Sequence, residues 1–178
     1  MTWKSHIAIS TAITLPFAPA AIPVAAIGAT APDWLEWVAK FFGVRVEHRK
    51  ETHYLIVPLA IIAFSFVLDF KNLIFWFGIG YLSHWFADSL TRSGVPISPW
   101  DNNRIYFFGG KLVTGEVGEY IVAFSILAFS VLIFRSNILL FDNKNQYKFN
   151  AYFINYKQLY EEKIIDEKEY KENRFKLF

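Results

Sequence analysis

The chain offers few groups able to hold a metal or move a proton. Its 178 residues contain four histidines, 16 Asp and Glu and no cysteine. Disulfides, thiolate-bound zinc, iron–sulfur clusters and thiol catalysis are therefore excluded, and any metal site must use His and carboxylates. His84 and Asp88 stand at i, i+4. On a helix that spacing puts both on one face, with Cβ atoms about 5–6 Å apart, and suits joint ligation of one ion. His6, Asp33 and His53 each lie at one end of an apolar segment, and His48 precedes His53 by five residues. A buried His hydrogen-bonded to an Asp would explain one such pair without a metal. It explains the set poorly, because every histidine in the chain falls in this group or next to it.

The apolar segments must bring these residues together. Residues 54–68 and 120–134 are uncharged runs of fifteen, and 73–90 is interrupted only by His84 and Asp88. Fifteen helical residues cover about 22 Å, against about 30 Å of hydrocarbon, with flanking aromatics able to extend each segment into the interface. Three such runs in a chain that is 54% hydrophobic and 19% aromatic favour membrane helices over buried soluble ones. At the N-terminus, residues 7–15 and 20–31 are apolar but separated by Pro16, Pro19 and Pro23, which predicts two short helices joined by a turn. Lys4, an apolar stretch and Ala18-Pro19-Ala20 also fit a signal peptide, a weaker reading than the hairpin. The expected fold is all-α: an integral membrane bundle of two helical hairpins plus one further membrane helix, with a long loop at 91–117 over the site. In that order His6, Asp33, His53, His84 and Asp88 all fall at one face of the bundle.

Charge divides the chain. Residues 1–135 carry 19 charged groups, and the 43 residues that follow carry 15. This shift predicts a membrane-embedded domain over 1–135, a linker over 136–155 and a separate charged module over 156–178. The formal net charge of +2 argues against nucleic acid as a stable partner. Basic residues are more numerous near the metal face than at the other helix ends, which favours a cytoplasmic site. A small hairpin is expected from Ile105–Phe108 to Lys111–Val113. Glu116 and Glu119 could reach the site, but capping the next helix is their plainer role.

Several segments together resemble the YdjM-like family: Ser5-His6, Pro32-Asp33, His48-Arg49-Lys50-Glu51-Thr52-His53 and Gly80-Tyr81-Leu82-Ser83-His84-Trp85-Phe86-Ala87-Asp88. The continuation Thr91-Arg92-Ser93-Gly94-Val95-Pro96, with Pro99, resembles it too. That family comprises bacterial inner-membrane proteins, some under LexA control, described by inference as metal-dependent hydrolases. The likeness covers roughly residues 1–120. It implies a multi-pass protein of the bacterial inner membrane with the bilayer as partner. Lys50 and Tyr54 stand where the family often has Gly and Ser. Leu35 stands where it commonly has an acid, so the resemblance carries no ligand role to the adjacent Glu36. The stretch from Leu159 to Tyr170, with Lys176-Leu177-Phe178, resembles a SHOCT module, which implies homo-oligomerisation through the tail.

The order His, Asp, His, His-x-x-x-Asp is also similar to part of the ligand set of bacterial zinc phospholipase C and fungal zinc nucleases. That likeness implies one metal on Asp33, His53, His84 and Asp88, and a second on His6 and Asp88, with Asp88 bridging. No histidine remains for a third ion. The N-terminal amine ligand of those enzymes has no evident counterpart in a chain beginning Met1-Thr2-Trp3. The expected cofactor is a divalent metal, zinc first, with manganese or magnesium as alternatives, as one or two ions. The expected function is hydrolysis of a phosphoester, including a phospholipid, by metal-activated water. Asp88 would act at the reacting centre, Arg49 would clamp phosphate and His48 would protonate a leaving group. Thr52 and Thr91 are second-rank candidates that could orient ligands. A metal or proton transporter using the same ligands, and a non-catalytic scaffold oligomerised by its tail, are the alternatives.

Overall fold

The computed structural model describes residues 1–47, 49–68 and 72–134, together with 160, 163 and 166–168. Almost all of the SHOCT-like tail, the 136–155 linker and His48 lie outside the described residues. Helix α1 spans Trp3–Thr14 and is followed by a 3-10 turn at Pro19–Ala21. Helix α2 spans Ile22–Phe41, and a second 3-10 turn covers Glu51–His53. Helices α3, Ile56–Leu68, and α4, Leu73–Ser89, form the next hairpin. Strands β1, Val95–Ser98, and β2, Asp101–Ile105, pair antiparallel with Val95 opposite Ile105. Helix α5 spans Val117–Ile133.

Helix α4 packs on α1, α2 and α3, and α5 packs on α1. The α2–α4 contact is set by glycine. A Cβ on Gly28 would lie 2.1 Å from the carbonyl oxygen of Phe77, and one on Gly80 would lie 1.9 Å from that of Ala25. Only hydrogen fits at either position, so the two backbones touch. The core between α1, α4 and α5 holds Ala8, Ile9, Ala87, Leu90 and Ala123. Trp85 donates from Nε1 to the carbonyl of Pro96 at 2.9 Å, which ties the β-hairpin to the end of α4.

Four expectations need correction. The first is the integral membrane bundle: among the described residues no helix is long and apolar enough to cross a membrane. Helix α3 has 13 residues, and α4 and α5 have 17 each. Seventeen residues rise about 26 Å, short of the hydrocarbon core. The 20-residue α2 is longer but carries Asp33, Glu36 and Lys40. The second is the all-α class, since a two-stranded sheet is present. The third is the end of the second helix, expected near Ala31. Helix α2 runs on through Pro32 to Phe41, so Asp33 sits within it. Proline removes only one backbone donor, and packing of α2 along α4 carries the helix past it. The fourth is the hairpin, which forms from Val95 to Ile105. The later segment adds only an isolated bridge from Thr91 to Leu112.

Candidate metal centre

Five of the sequence-predicted site residues converge where α1, α2 and α4 meet. Helix α1 supplies His6, α2 supplies Asp33, the 3-10 turn before α3 supplies His53, and α4 supplies His84 and Asp88. Ligand atoms of His6, Asp33 and His84 lie within 4.8 Å of one another, as do those of His53, His84 and Asp88. All but Asp33 are 1% exposed or less.

The orientation of the imidazoles follows from their second nitrogens. His84 Nδ1 lies 2.7 Å from the carbonyl oxygen of Ala29, which can only accept, so Nδ1 carries the proton. Thr52 donates its single hydroxyl hydrogen to Glu36 Oε1 at 3.3 Å. Its oxygen is then left to accept from His53 Nδ1 at 3.0 Å, and Glu36 Oε1 also lies 3.4 Å from that nitrogen. In the neutral rings both Nε2 atoms therefore carry lone pairs rather than protons. They face each other at 3.1 Å. Such a pair repels unless a cation or a proton lies between, and burial pushes the His53 pKa down, against protonation.

Carboxylate oxygens complete the arrangement. Asp33 Oδ1 lies 3.6 Å from His53 Nε2 and 4.0 Å from His84 Nε2. Asp88 Oδ2 lies 3.5 Å from His84 Nε2 and 3.9 Å from His53 Nε2. Asp88 Oδ1 turns the other way, 3.4 Å from His6 Nε2 and 3.2 Å from Arg49 Nη2, and also meets the Met1 amino group. The two oxygens of one carboxylate thus serve two neighbouring clusters. Burial opposes charge on Asp33 and Asp88. The neighbouring imidazoles, His53 first, outweigh it at Asp33 and pull its pKa to about 2. The imidazoles of His6 and His84 beside it hold Asp88 well below the usual carboxylate range. Burial, reinforced by His84, lowers His6 to about 3. Ionised Asp33 and Asp88 beside His6 and His53 rings kept neutral by burial are in the protonation state that metal ligation requires. His6 stacks on His84 with ring centroids 3.7 Å apart, and neither of its nitrogens makes a hydrogen bond. The donor set fits a divalent ion.

The remaining site expectations fare differently. The Arg49 fork is turned onto the protein, with Nη1 3.2 Å from Thr91 Oγ1 and Nη2 on Asp88. Its backbone φ is +59°, an uncommon conformation held by the bond from its N–H to Glu36 Oε1 at 3.0 Å. Glu36 is thus a buried acceptor for Arg49, Thr52 and the His53 ring. It stands three residues after Asp33, a spacing that placed it on the same helix face. The Met1 amine against Asp88 had no local signal, because the contact joins the two ends of a stretch of 88 residues. Glu119, in the first turn of α5, ties the loop before it to the start of α1. It accepts from Gly115 N at 2.8 Å, but also from Thr2 N and Thr2 Oγ1, both at 2.7 Å, and from Ser5 Oγ at 2.5 Å. A charged acceptor thereby sits at the positive end of α1, one turn from His6.

Residues 1–154 match the family model for the YdjM inner membrane protein. The chain belongs to the YdjM inner membrane protein family. Membrane association comes with that membership. The match covers every site residue described above, and the last 24 residues lie beyond it. No curated protein and no solved structure matches the chain.

Proposed function

We propose that this YdjM-family chain is a metal-dependent hydrolase of phosphoesters. The observation that carries the metal site is the facing pair of His53 and His84 Nε2 lone pairs, 3.1 Å apart and flanked by the Asp33 and Asp88 carboxylates. His53, His84, Asp33 and Asp88 would hold the first ion. His6 and the second oxygen of Asp88 would serve another. Two imidazoles with carboxylates suit zinc best, with manganese next. When bound, such an ion supplies Lewis acidity toward a phosphoryl oxygen and lowers the pKa of water.

The chain's own residues do the rest. The Ala29 carbonyl and the Thr52–Glu36 relay fix the two imidazole tautomers, so that Nε2 of each would be the ligand atom. Asp88 joins the two clusters and holds Arg49 beside them, where its remaining N–H groups can meet an anionic oxygen. His48, outside the described residues, keeps its proposed role as proton donor to the leaving group.

The test is metal analysis of the purified chain and of His84→Ala, coupled to a screen of phosphoesters and phospholipids. Stoichiometric zinc or manganese in the wild type, lost with turnover in the variant, is the expected outcome. Absence of bound metal after purification without chelators would refute the site. Metal without turnover would shift the reading to metal transport or scaffolding.

A further inference from the structure

The residues that lead away from Asp33 are aromatic and exposed. Trp3 donates from Nε1 to Asp33 Oδ2 at 2.8 Å, so one indole is bonded directly to a residue of the metal centre. Its ring meets that of Trp37, with centroids 5.4 Å apart and planes tilted by 35°. Asp33, Trp37 and Phe41 follow at i, i+4 and i+8 along α2, a rise of about 12 Å on one side of the helix. Trp3, Trp37 and Phe41 are 42%, 62% and 84% exposed. Single exposed apolar residues need no explanation, but a row of aromatic residues on one side of a helix beside a buried, ionised cluster does.

We propose that this row binds the apolar chain of an amphiphilic phosphoester whose phosphate lies at the metal centre. The inference rests on the hydrolase reading and names the substrate class for it. The row is suited to an alkyl chain rather than a polar ring. The Trp3 N–H is already used by Asp33, and the rings of Trp37 and Phe41 present apolar faces that can cover methylenes. Its bond to Asp33 makes it continuous with the centre, so a bound headgroup and its tail would be held in line. Membership of an inner-membrane family puts such amphiphiles within reach.

The test uses phosphonates, which cannot be hydrolysed. A series from methyl- to octylphosphonate, each below its micelle-forming concentration, is titrated by calorimetry onto the zinc-loaded full chain in nanodiscs, with empty nanodiscs as reference. Affinity is expected to rise about twofold per methylene, below the roughly fourfold of complete burial because the row is open on one side. In Trp37→Ala the ratio of octyl- to methylphosphonate affinity should fall by at least about tenfold. Phe41→Ala, at a still more exposed position, should weaken only the longest chains. Equal ratios in wild type and Trp37→Ala, or no dependence on chain length, would overturn the proposal. The two readings fail separately. Turnover of phosphoesters without chain discrimination removes the track and leaves the hydrolase. Chain discrimination without turnover of any phosphoester removes the hydrolase and leaves an amphiphile-binding site.

Discussion

Replacing Glu36 tests whether the metal centre is built from its surroundings as well as from its ligands. Glu36 is 2% exposed and touches no proposed ion, yet its Oε1 receives Arg49 N at 3.0 Å and Thr52 Oγ1 at 3.3 Å, and lies 3.4 Å from His53 Nδ1. Glu36→Gln keeps the shape and one acceptor oxygen but removes the charge. A hydrogen bond to a charged group is worth about 1.5–3 kcal/mol, against about 0.5–1.5 for a neutral one, so about 1.4 kcal/mol of ligand orientation should go. That corresponds to about tenfold in zinc affinity, the lower end of what partners behind metal ligands usually contribute. Glu36→Ala removes the acceptor of the Arg49 N–H and the Thr52 hydroxyl altogether, which should bring the loss to about a hundredfold. The assay is competition for zinc against a chromophoric chelator, with metal-free thermal melts run in parallel to confirm folding. Glu47→Gln is the control, because the Glu47 side chain is 75% exposed and pairs only with Lys50 among the described contacts of its carboxylate. If folded Glu36→Gln and Glu36→Ala both bind zinc within about twofold of wild type, the tautomer argument for His53 is wrong.

Other outcomes follow from packing and charge. Gly80→Ala drives a methyl group into the Ala25 carbonyl, so the melting temperature should fall by the equivalent of about 1–3 kcal/mol or more. Zinc affinity should fall with it, since His84 is placed against Ala29 by that contact; a variant as stable and as tight as wild type would contradict it. Glu119→Gln should cost about 1–3 kcal/mol by losing charged acceptance from Thr2, Ser5 and Gly115. Burial opposes its charge, but the Ser5, Thr2 and Gly115 bonds hold its pKa below the ordinary 4.5. A depressed carboxyl pKa stabilises the fold above the unfolded value and loses that contribution as pH falls through the folded value. The stability gap between wild type and Glu119→Gln should therefore be full above pH 4.5 and narrow below it. A gap that is constant in denaturant melts through the acid range would exclude this role.

Much of the helical order is legible in the sequence because it depends on neighbours. The prolines at 16 and 19 separate α1 from α2, Pro23 falls in the first turn of α2, and the apolar runs at 54–68, 73–90 and 120–134 coincide with α3, α4 and α5 to within a few residues. The i, i+4 spacing of His84 and Asp88 fixes their common face before any packing is known. Helix length was less legible. Apolar runs and helices do not share their ends: the run at 54–68 begins two residues before α3, and α5 begins three residues before the run at 120–134. Pro32 misleads in the other direction, because the contact with α4 sustains α2 beyond it.

The sequence by itself determined which chemistry was available: four histidines, no thiols, and acids placed at the ends of apolar segments. Tertiary structure alone decided how those groups are presented. The backbone contact at Gly28 and Gly80 brings Ala29 against His84, the turn at Glu51–His53 sets Thr52 over Glu36, and the start of α1 is carried onto Asp88 and Glu119. A tautomer depends on which acceptor lies behind a ring, and these acceptors come from other elements of the fold. No spacing along the chain encodes that acceptor, because it is supplied by a surface that exists only once the helices have packed.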